Sequence, residues 1–407
     1  MSYKFSCHSI QLLVLVACLS TFGVLPIHAK DSSFKKPTQS LSNEQLYKDG
    51  LQYLYEKKYE QAIATLSQAL AQDSREVGVL VARGEAYYEL HRYEEALRDL
   101  SRALEEKPNH IYGLMLRGAT YDRLQRTQDA VNDMTKVLFV DPQNVVAYTL
   151  RGAAYITLQE WEKALSDLNQ AITLGEQHAW TYQNRALAHE NLGQYDKAIL
   201  DLSRSLQITP GHRGSLAHRA WGYLCLGHIE KGIEDLTALL SQDPNDALTR
   251  VRRGWAYLEI KNTEAALSDF TSAIAQKAEL PLAYLNLAAL YYQTGNWKMA
   301  YSTNAKLFSL HEEKVLVDAF FQKGLILLAM KRTQEARAAF AQGKALAEKY
   351  YDGEVLDYEM QDLQEALENN QADRDTASQM LQELKEARGK IKTPANTRYK
   401  GCRHLAI

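Results

Sequence analysis

The sequence contains few of the residues that interrupt helices or cross-link a fold. Its 407 residues include 21 glycines, 8 prolines and 4 cysteines. Scarce glycine and proline, together with abundant alanine, leucine, glutamate and glutamine, favour a mostly helical chain. Beyond residue 29 the cysteines are Cys225 and Cys402. Two cysteines so far apart in sequence exclude a disulfide framework and a cysteine-based metal cluster.

The chain also lacks a strong excess of charge of either sign. It has 47 basic and 50 acidic side chains, a formal net charge of −3, and 46% hydrophobic residues. This balance argues against a disordered chain, and it provides no excess of basic residues that would bind a nucleic acid. We therefore expect protein partners that are held by local features of the surface.

Motifs that carry catalysis are absent from the sequence. There is no HExxH, no paired CxxC, no GxSxG and no phosphate-binding glycine loop. Three histidines, His110, His178 and His212, recur at one place in the repeat described below, which a turn between helices explains. We predict that the protein is not an enzyme and uses no cofactor and no metal.

The first 29 residues resemble a secretory signal peptide. Lys4 precedes an apolar run from Ile10 to Leu25, and Ala29 offers a small residue at the cleavage site. An alternative is a lipobox ending at Cys18, which would make the protein a membrane-anchored lipoprotein. A transmembrane anchor is disfavoured, because it needs roughly 20 apolar residues. The expected location is periplasmic or secreted, with a linker over residues 30–42.

An internal repeat of 34 residues dominates the rest of the chain. Its clearest marker is an alanine at repeat position 20, with one glycine in the series: Ala62, Ala96, Ala130, Ala164, Ala198, Gly232, Ala266, Ala300 and Ala336. The last step is two residues longer than the others. The predicted repeats are therefore 43–76, 77–110, 111–144, 145–178, 179–212, 213–246, 247–280, 281–316 and 317–350.

Other repeat positions identify the kind of repeat. Position 8 is always glycine or alanine, position 11 is tyrosine in seven of nine repeats, and position 24 is a large apolar residue in eight. Prolines at position 32 end the second helix in four repeats: Pro108, Pro142, Pro210 and Pro244. This pattern resembles the tetratricopeptide repeat, and with the leader it suggests an exported bacterial member of that family.

The resemblance implies an all-α fold, a right-handed superhelical solenoid of nine helix-turn-helix repeats. Open solenoids need polar-faced terminal caps, and we assign residues 351–388 to C-terminal capping helices. Residues 389–407 contain five basic and no acidic side chains, which predicts a disordered basic tail.

Repeats 2 to 7 depart from the family pattern at position 7, where leucine is usual. They carry arginine there and aspartate at position 23, whereas repeats 1, 8 and 9 have neither. The matched occurrence predicts a structural ion pair inside each repeat. The six predicted pairs are Arg83 with Asp99, Arg117 with Asp133, Arg151 with Asp167, Arg185 with Asp201, Arg219 with Asp235, and Arg253 with Asp269.

In this family the first helices of the repeats line a concave groove that holds a partner peptide or helix. Carried over by position, the groove residues are Trp180, Gln183, Leu187, Trp221, Leu224, Val251, Trp255, Leu285, Tyr292 and Phe321. We expect an exposed, apolar and aromatic surface there. The alternative is that Trp221 and Trp255 fill the packing between repeats.

The N-terminal part of the same groove differs in chemistry. It carries Glu85, Glu89, Asp122 and Arg123, so it is expected to prefer a polar or basic segment. The predicted function is a protein-interaction scaffold or adaptor. The alternatives are a lipid-anchored envelope assembly factor, which depends on Cys18, and a non-catalytic regulatory subunit of an enzyme complex.

Overall fold

The computed structural model describes residues 42–310, 313–350, 353–368 and 374–390, and all regular structure in these ranges is helical. The helices in chain order are α1 (Asn43–Tyr55), α2 (Tyr59–Gln72), α3 (Val77–Glu89), α4 (Tyr93–Glu106), α5 (Ile111–Arg123), α6 (Thr127–Val140), α7 (Val145–Thr157), α8 (Trp161–Thr173), α9 (Ala179–Asn191), α10 (Tyr195–Ile208), α11 (Arg213–Cys225), α12 (Ile229–Gln242), α13 (Ala247–Glu259), α14 (Thr263–Gln276), α15 (Pro281–Gln293), α16 (Trp297–Leu307), α17 (Glu313–Ala329), α18 (Thr333–Tyr350), α19 (Gly353–Glu368) and α20 (Arg374–Lys390). The predicted all-α fold class is confirmed over these ranges.

Consecutive helices pack in pairs, each with one first and one second helix. The first helices of repeats 1 to 8 begin at the residues that open the sequence repeats, from Asn43 to Pro281. In repeat 9 the first helix begins at Glu313, four residues before Val317. The predicted signal peptide, the lipobox cysteine Cys18 and most of the linker lie outside the described residues, as do residues 391–407 of the predicted tail.

The helices fall into two compact units that meet in sequence between Ile208 and Thr209. The N-terminal unit contains α1–α10, which are repeats 1 to 5. Its buried core includes the apolar residue at position 24 of every repeat: Leu66, Leu100, Met134, Leu168 and Leu202.

The C-terminal unit contains repeats 6 to 9 and the two last helices. Helices α19 and α20 pack against repeat 9 through Leu356, Leu363, Met380 and Leu384, which join the same apolar cluster as Phe321. This packing covers the apolar side of the last repeat. Over the residues with described structure, no helix has both the length and the apolar character that crossing a bilayer requires.

A missing side chain at repeat position 8 sets the close approach of the two helices in a repeat. A Cβ added to Gly152 would lie 2.8 Å from Leu168 Cγ, and one added to Gly254 would lie 2.7 Å from Phe270 Cε1. Both partners are at position 24 and are fully buried. Glycine at position 8 therefore permits the large apolar side chain at position 24 to reach the opposite backbone in these repeats.

The turn inside every repeat uses the left-handed backbone conformation at position 15. Three of these residues are glycine, with φ of 71° to 75°, and six are not, with φ of 58° to 61°. The glycines are Gly193, Gly227 and Gly295, and the others are Lys57, His91, Gln125, Gln159, Lys261 and Lys331. A left-handed residue just after a helix ends it, so each first helix stops at the same place.

Two of the three histidines at repeat position 34, His110 and His212, cap a helix N-terminus through the side chain. The Nδ1 atom of His110 accepts a hydrogen bond from the Gly113 amide at 3.0 Å, and Nδ1 of His212 accepts from the Ser215 amide at 3.1 Å. Burial lowers the pKa of both histidines, and nearby positive charge lowers it further. A neutral ring can accept the amide proton, so these residues have a structural role.

Candidate functional site

The first helices form the surface on which the sequence analysis predicted that a partner binds. In the N-terminal unit α1 contacts α3, α3 contacts α5, and α7 contacts α9. In the C-terminal unit α13 contacts α15, and α15 contacts α17. Neighbouring first helices therefore lie side by side within each unit, and we call the surface they form the first-helix face.

The predicted apolar residues of the C-terminal unit are mostly buried. Leu224, Val251, Trp255, Leu285 and Phe321 are at most 4% exposed, whereas Trp221 and Tyr292 are half-buried. The expectation that all seven side chains form an exposed surface is corrected for these five, because burial leaves them little area to offer a partner.

Contacts with neighbouring helices explain the burial of two of these residues. Phe321 packs edge-on against Phe340, with the ring centroids 5.6 Å apart. Leu285 lies in an apolar cluster with Leu307 and Val315. Both side chains belong to the packing of repeats 8 and 9.

In the N-terminal unit the predicted groove residues are Trp180, Gln183 and Leu187, all on α9. Trp180 is 6% exposed and packs against Ala153, and Leu187 is half-buried. The Gln183 amide donates a hydrogen bond to Ser205 Oγ at 2.9 Å. These three residues are therefore tied into the packing of repeats 4 and 5, and only Gln183 and Leu187 keep substantial exposure.

Repeats 1 to 3 bring together two carboxylates and three phenols. All of them lie on first helices except Tyr59, which begins the second helix α2. Glu85 and Glu89 lie one helical turn apart on α3, and Tyr59 donates a hydrogen bond to Glu89 Oε2 at 3.3 Å. Tyr47 and Tyr112 lie close enough for the charge of Glu85 to act on both hydroxyls. We call these five residues the acidic tyrosine cluster.

The electrostatics of the acidic tyrosine cluster show a negative charge without a protein counter-ion. Among the described residues, no lysine, arginine or histidine nitrogen lies within 4.0 Å of either carboxylate. Burial raises the pKa of Glu85 to about 7, a hydrogen bond from Tyr112 opposes this rise, and the charge of Glu89 adds to it. Burial and the two carboxylates also raise the pKa of Tyr112 and Tyr59.

A small cavity lies further along the same face, among repeats 2 to 5. Its volume is about 40 Å³, and its lining is mostly small or apolar, including Gly118, Ala119 and Ala153. Arg123 and Trp180 also line it, and Arg123 Nε donates to Tyr88 Oη at 3.4 Å. We call this space the Trp180 cavity.

The structure brings together all six predicted arginine and aspartate pairs. Each arginine makes two parallel hydrogen bonds to its aspartate, Nε to Oδ2 at 2.7 to 2.9 Å and Nη2 to Oδ1 at 2.6 to 2.9 Å. The six aspartates are buried. The pairs join the two helices of one repeat and hold no free charge for a ligand.

Sequence reasoning missed a second partner of these arginines. The Nη1 atom of Arg83 donates to Ser67 Oγ at 2.9 Å, and Arg151 donates to Thr135 Oγ1 at 3.1 Å. Arg185 and Arg253 make equivalent bonds to Asn169 and Thr237. Each acceptor is at position 25 of the preceding repeat. The signal was a small polar residue at that position in each of repeats 1 to 6.

The described ranges contain no group of three or more histidine, cysteine, aspartate or glutamate side chains placed to hold a metal ion. Asp122, which was predicted for the N-terminal groove with Arg123, lines the Trp180 cavity. The arrangement can therefore offer hydrogen bonds, negative charge and apolar contact to a partner.

Comparison with protein families finds four models, each described as a tetratricopeptide repeat. They match residues 53–119, 179–212, 219–281 and 317–350. These segments lie in both units and include positions 8, 11, 20 and 24 of repeats 2, 5, 6, 7 and 9. No curated protein matches the chain.

Several solved structures are similar in fold. One is a crystal structure of YrrB, described as a TPR protein with an unusual peptide-binding site. It has 19% identity and a TM-score of 0.43, and the match covers 45% of this chain and 95% of that chain. A tetratricopeptide repeat protein from Parabacteroides merdae ATCC 43184 has 22% identity, covers 58% of this chain and 93% of its own, and has a TM-score of 0.45. A crystal structure of MamA has 24% identity and a TM-score of 0.38, and the match covers 40% of this chain and 96% of that chain.

Proposed function

The chain belongs to the tetratricopeptide-repeat family, and on that premise we propose that its N-terminal unit binds a basic segment of a partner protein on the first-helix face. Proteins built from these repeats commonly serve as protein-interaction scaffolds. The acidic tyrosine cluster favours a basic partner, because it carries negative charge that no cation among the described residues neutralises.

An unpaired, half-buried carboxylate at Glu85 favours the binding of a cation. Desolvation disfavours the charged form of Glu85, and the neighbouring charge of Glu89 disfavours it further. A lysine or arginine side chain placed between the two carboxylates would reverse both effects. Tyrosine rings around the site would add cation–π attraction, which is worth about 0.5 to 2 kcal/mol per ring.

The proposal predicts a definite pH dependence. Only the ionised form of Glu85 attracts a cation, and its pKa is about 7 in the free protein. Affinity for a basic peptide should therefore increase as the pH rises from 6 to 8. Binding of the cation should in turn lower the pKa of Glu85.

A peptide display experiment tests the proposal. The full chain is used to select binders from a random dodecapeptide library, and each selected peptide is measured against Glu85→Gln/Glu89→Gln. We expect lysine or arginine to be enriched at one peptide position and the double variant to bind at least about tenfold more weakly, because charge-assisted hydrogen bonds contribute about 1.5 to 3 kcal/mol.

A matched control removes the same charge elsewhere in repeat 2. Glu94 and Glu105 are exposed on α4, so Glu94→Gln/Glu105→Gln should leave affinity unchanged. Selected peptides without basic enrichment, or equal binding to the Glu85/Glu89 variant, would contradict the proposal.

Export of the protein is a second part of the proposal. It is supported by the pattern of residues 1–29, with cleavage after Ala29 as the main form and lipidated Cys18 as the alternative. Intact-mass measurement of the mature protein from its native host distinguishes the two, since each has a different N-terminal residue and mass.

A further inference from the structure

Cys225 takes part in a covalent bond that the repeat pattern does not explain. In the structure its sulfur belongs to a disulfide, and the residue is 4% exposed at the C-terminal end of α11. The chain has three other cysteines, Cys7, Cys18 and Cys402, and all of them lie outside the described residues. A framework of several bridges stays excluded, but one bridge ties α11 to a distant segment of the chain.

The proposed export of the protein selects the partner of Cys225. Cleavage after Ala29 removes Cys7 and Cys18, so Cys402 is the cysteine left to bond. In the alternative, lipidation of Cys18 uses up its thiol, with the same result. Disulfides persist in exported proteins, whereas the cytosol keeps thiols reduced. A bridge shielded by burial also resists exchange with soluble thiols.

A bond to Cys402 would bring the C-terminal tail to the first-helix face at repeat 6. Trp221 lies one helical turn before Cys225 on α11, on the same side of the helix, and is half-buried. Bridged cysteines have their Cα atoms within about 7 Å of each other, and two residues span at most about 7 Å. Lys400 and Arg403, which flank Cys402, therefore lie close to α11 as well.

The charge of the next repeat suits a basic segment at this place. Cys225 occupies position 13 of repeat 6, and position 13 of repeat 7 is Glu259, whose side chain is exposed. Equivalent positions of successive repeats lie on the same side of a solenoid. Since residues 389–407 carry five basic and no acidic side chains, a tail fixed at Cys402 can form charge-assisted hydrogen bonds there.

We propose that Cys225 and Cys402 form an intramolecular disulfide that holds the tail, residues 391–407, against the first-helix face at repeat 6. The tail then covers Trp221, so the chain itself occupies this part of the C-terminal unit. The acidic tyrosine cluster of the N-terminal unit is left to the partner. The inference rests on the proposed function in one respect, since export removes the competing cysteines and supplies an oxidising compartment.

The bridge forms by thiol–disulfide exchange with a disulfide oxidant, either oxidised glutathione or an oxidoreductase of the exported compartment. The thiolate of Cys402 attacks one sulfur of the oxidant, the S–S bond of the oxidant breaks, and one thiol leaves. The thiolate of Cys225 then attacks the sulfur of Cys402 in the mixed disulfide, and the second thiol leaves. The two cysteines lose two electrons, which reduce the oxidant, and their two protons end on the two released thiols.

Peptide mapping without reductant tests the bridge. The full chain with Cys7→Ser/Cys18→Ser retains Cys225 and Cys402 and is independent of export. It is reduced, equilibrated with reduced and oxidised glutathione, alkylated and digested with trypsin. We expect residues 220–231 linked to residues 401–403, loss of this species after reduction, and a monomer on non-reducing electrophoresis.

A matched control moves one thiol by a single residue, which turns its side chain by about 100° around the helix axis. Leu226 is 41% exposed, so Cys225→Ser/Leu226→Cys presents a more accessible thiol than the parent. A tail held specifically at Cys225 should bridge to this variant less at every glutathione ratio. A tail that reacts with any thiol it meets should bridge to it more, because an exposed thiol reacts faster.

A second readout reports whether the tail covers Trp221. Acrylamide quenching of Trp221 fluorescence is taken as the difference between the parent chain and Trp221→Phe. Quenching should increase when the bridge is reduced, and Cys402→Ser should show the high value with and without reductant. Equal quenching in the oxidised and reduced parent would show that the tail does not lie on this face.

Three further results would overturn the inference. One is Cys225 recovered as a thiol or a glutathione adduct when oxidised glutathione is in excess, and another is a disulfide-linked dimer. The third is a parent chain in which residues 220–231 are linked to residues 5–30. The intact mass of the exported parent separates the two proposals. A retained Met1 with the bridge to Cys402 contradicts export alone, whereas a chain that starts at Lys30 with both thiols free contradicts the bridge alone.

Discussion

Repeats 2 to 7 each have an ion pair between their own two helices, whereas buried amides connect repeat 8 to repeat 9. In repeats 2 to 7 a charged arginine and a buried aspartate connect the two helices of one repeat. In repeat 8 the large apolar residue at position 24 is replaced by Asn304, which is fully buried. Its amide donates to Ala319 O at 3.0 Å and to Gln322 Oε1 at 2.9 Å.

The difference shows that buried polar contacts can connect helices either within one repeat or between neighbouring repeats. Gln322 donates in turn to Leu285 O at 2.9 Å, so the amides connect repeat 8 to repeat 9. A neutral amide that loses its partner leaves an unpaired dipole, whereas an ion pair that loses one member leaves a buried charge. Repeats 2 to 7 should therefore be far more sensitive to the loss of a single polar side chain.

The largest effect should come from breaking one ion pair in repeat 4. Arg151→Leu and Asp167→Leu each leave one charge in a site where the aspartate side chain is 6% exposed. Each single change should lower the free energy of unfolding by about 3 to 5 kcal/mol, and the double change should cost much less. Chemical denaturation of the four proteins gives the coupling energy. Additive losses would show that the two side chains act independently and would remove the contrast between the two groups of repeats.

A second effect concerns a carboxylate that, unlike Asp99 in the same repeat, has no arginine partner. Because burial raises the pKa of Glu85 from its ordinary 4.5 to about 7, the folded state holds this proton more tightly than the unfolded state. Protonated Glu85 thus contributes to the free energy of unfolding. This contribution is fully present below about pH 4.5 and is lost as the pH rises through 7.

Glu85→Gln removes this loss. At pH 8 the variant should be more stable than the parent protein by about 1 to 3 kcal/mol, and the gain should shrink as the pH falls toward 5. Thermal unfolding of both proteins across this range measures the difference, with Glu94→Gln as the exposed control. A gain that is constant with pH would show that ionisation of Glu85 is not its cause.

A smaller effect should follow from removing the bond between repeats. Thr135→Val deletes the acceptor of Arg151 Nη1, and we expect a loss of about 0.5 to 1.5 kcal/mol. Thr271 is the matched control, because it occupies the same position 25 in repeat 7 while the next repeat has Leu287 in place of arginine. Thr271→Val should be nearly neutral, and equal losses at the two sites would mean that the arginine bond contributes nothing.

The smallest effect concerns the turn that both groups of repeats share. Gln159 in repeat 4 and Lys331 in repeat 9 both have φ of 60°. Glycine at either position should stabilise the chain by about 0.5 to 1 kcal/mol, because it removes the strain of a side chain in the left-handed region. Gly193→Ala should have the opposite sign. Measured melting temperatures that differ between Gln159→Gly and Lys331→Gly would reveal a difference in the turns themselves.

Much of the fold was predictable because the repeat imposes the same physical requirement many times. The alanine series from Ala62 to Ala336 set the repeat length, and the shared occurrence of arginine and aspartate in six repeats indicated contact between positions 7 and 23. Position 15 gave no such signal, because glycine occupies it in three repeats only. Its left-handed backbone follows from the geometry of the turn and is imposed on lysine, histidine and glutamine alike.

The candidate site was less predictable. A position on a helix fixes the direction of a side chain, but it does not fix how completely residues of neighbouring helices bury that side chain. Trp255 and Trp221 occupy the same repeat position 9, yet Trp255 is buried and Trp221 is half-buried. The raised pKa of Glu85 and the burial of Trp180 depend on neighbours from other repeats. Such neighbours cannot be assigned from the periodicity of one helix.

The spacing of the arginine contacts has a consequence for how fast the chain can fold. Arg151 lies 16 residues before Asp167 and 16 residues after Thr135. Contacts at such short sequence separation close small loops, and low contact order is associated with folding in microseconds to milliseconds. During synthesis Arg151 can complete both contacts once its own repeat has emerged from the ribosome, so repeat 4 can add to the structure already formed by repeats 1 to 3.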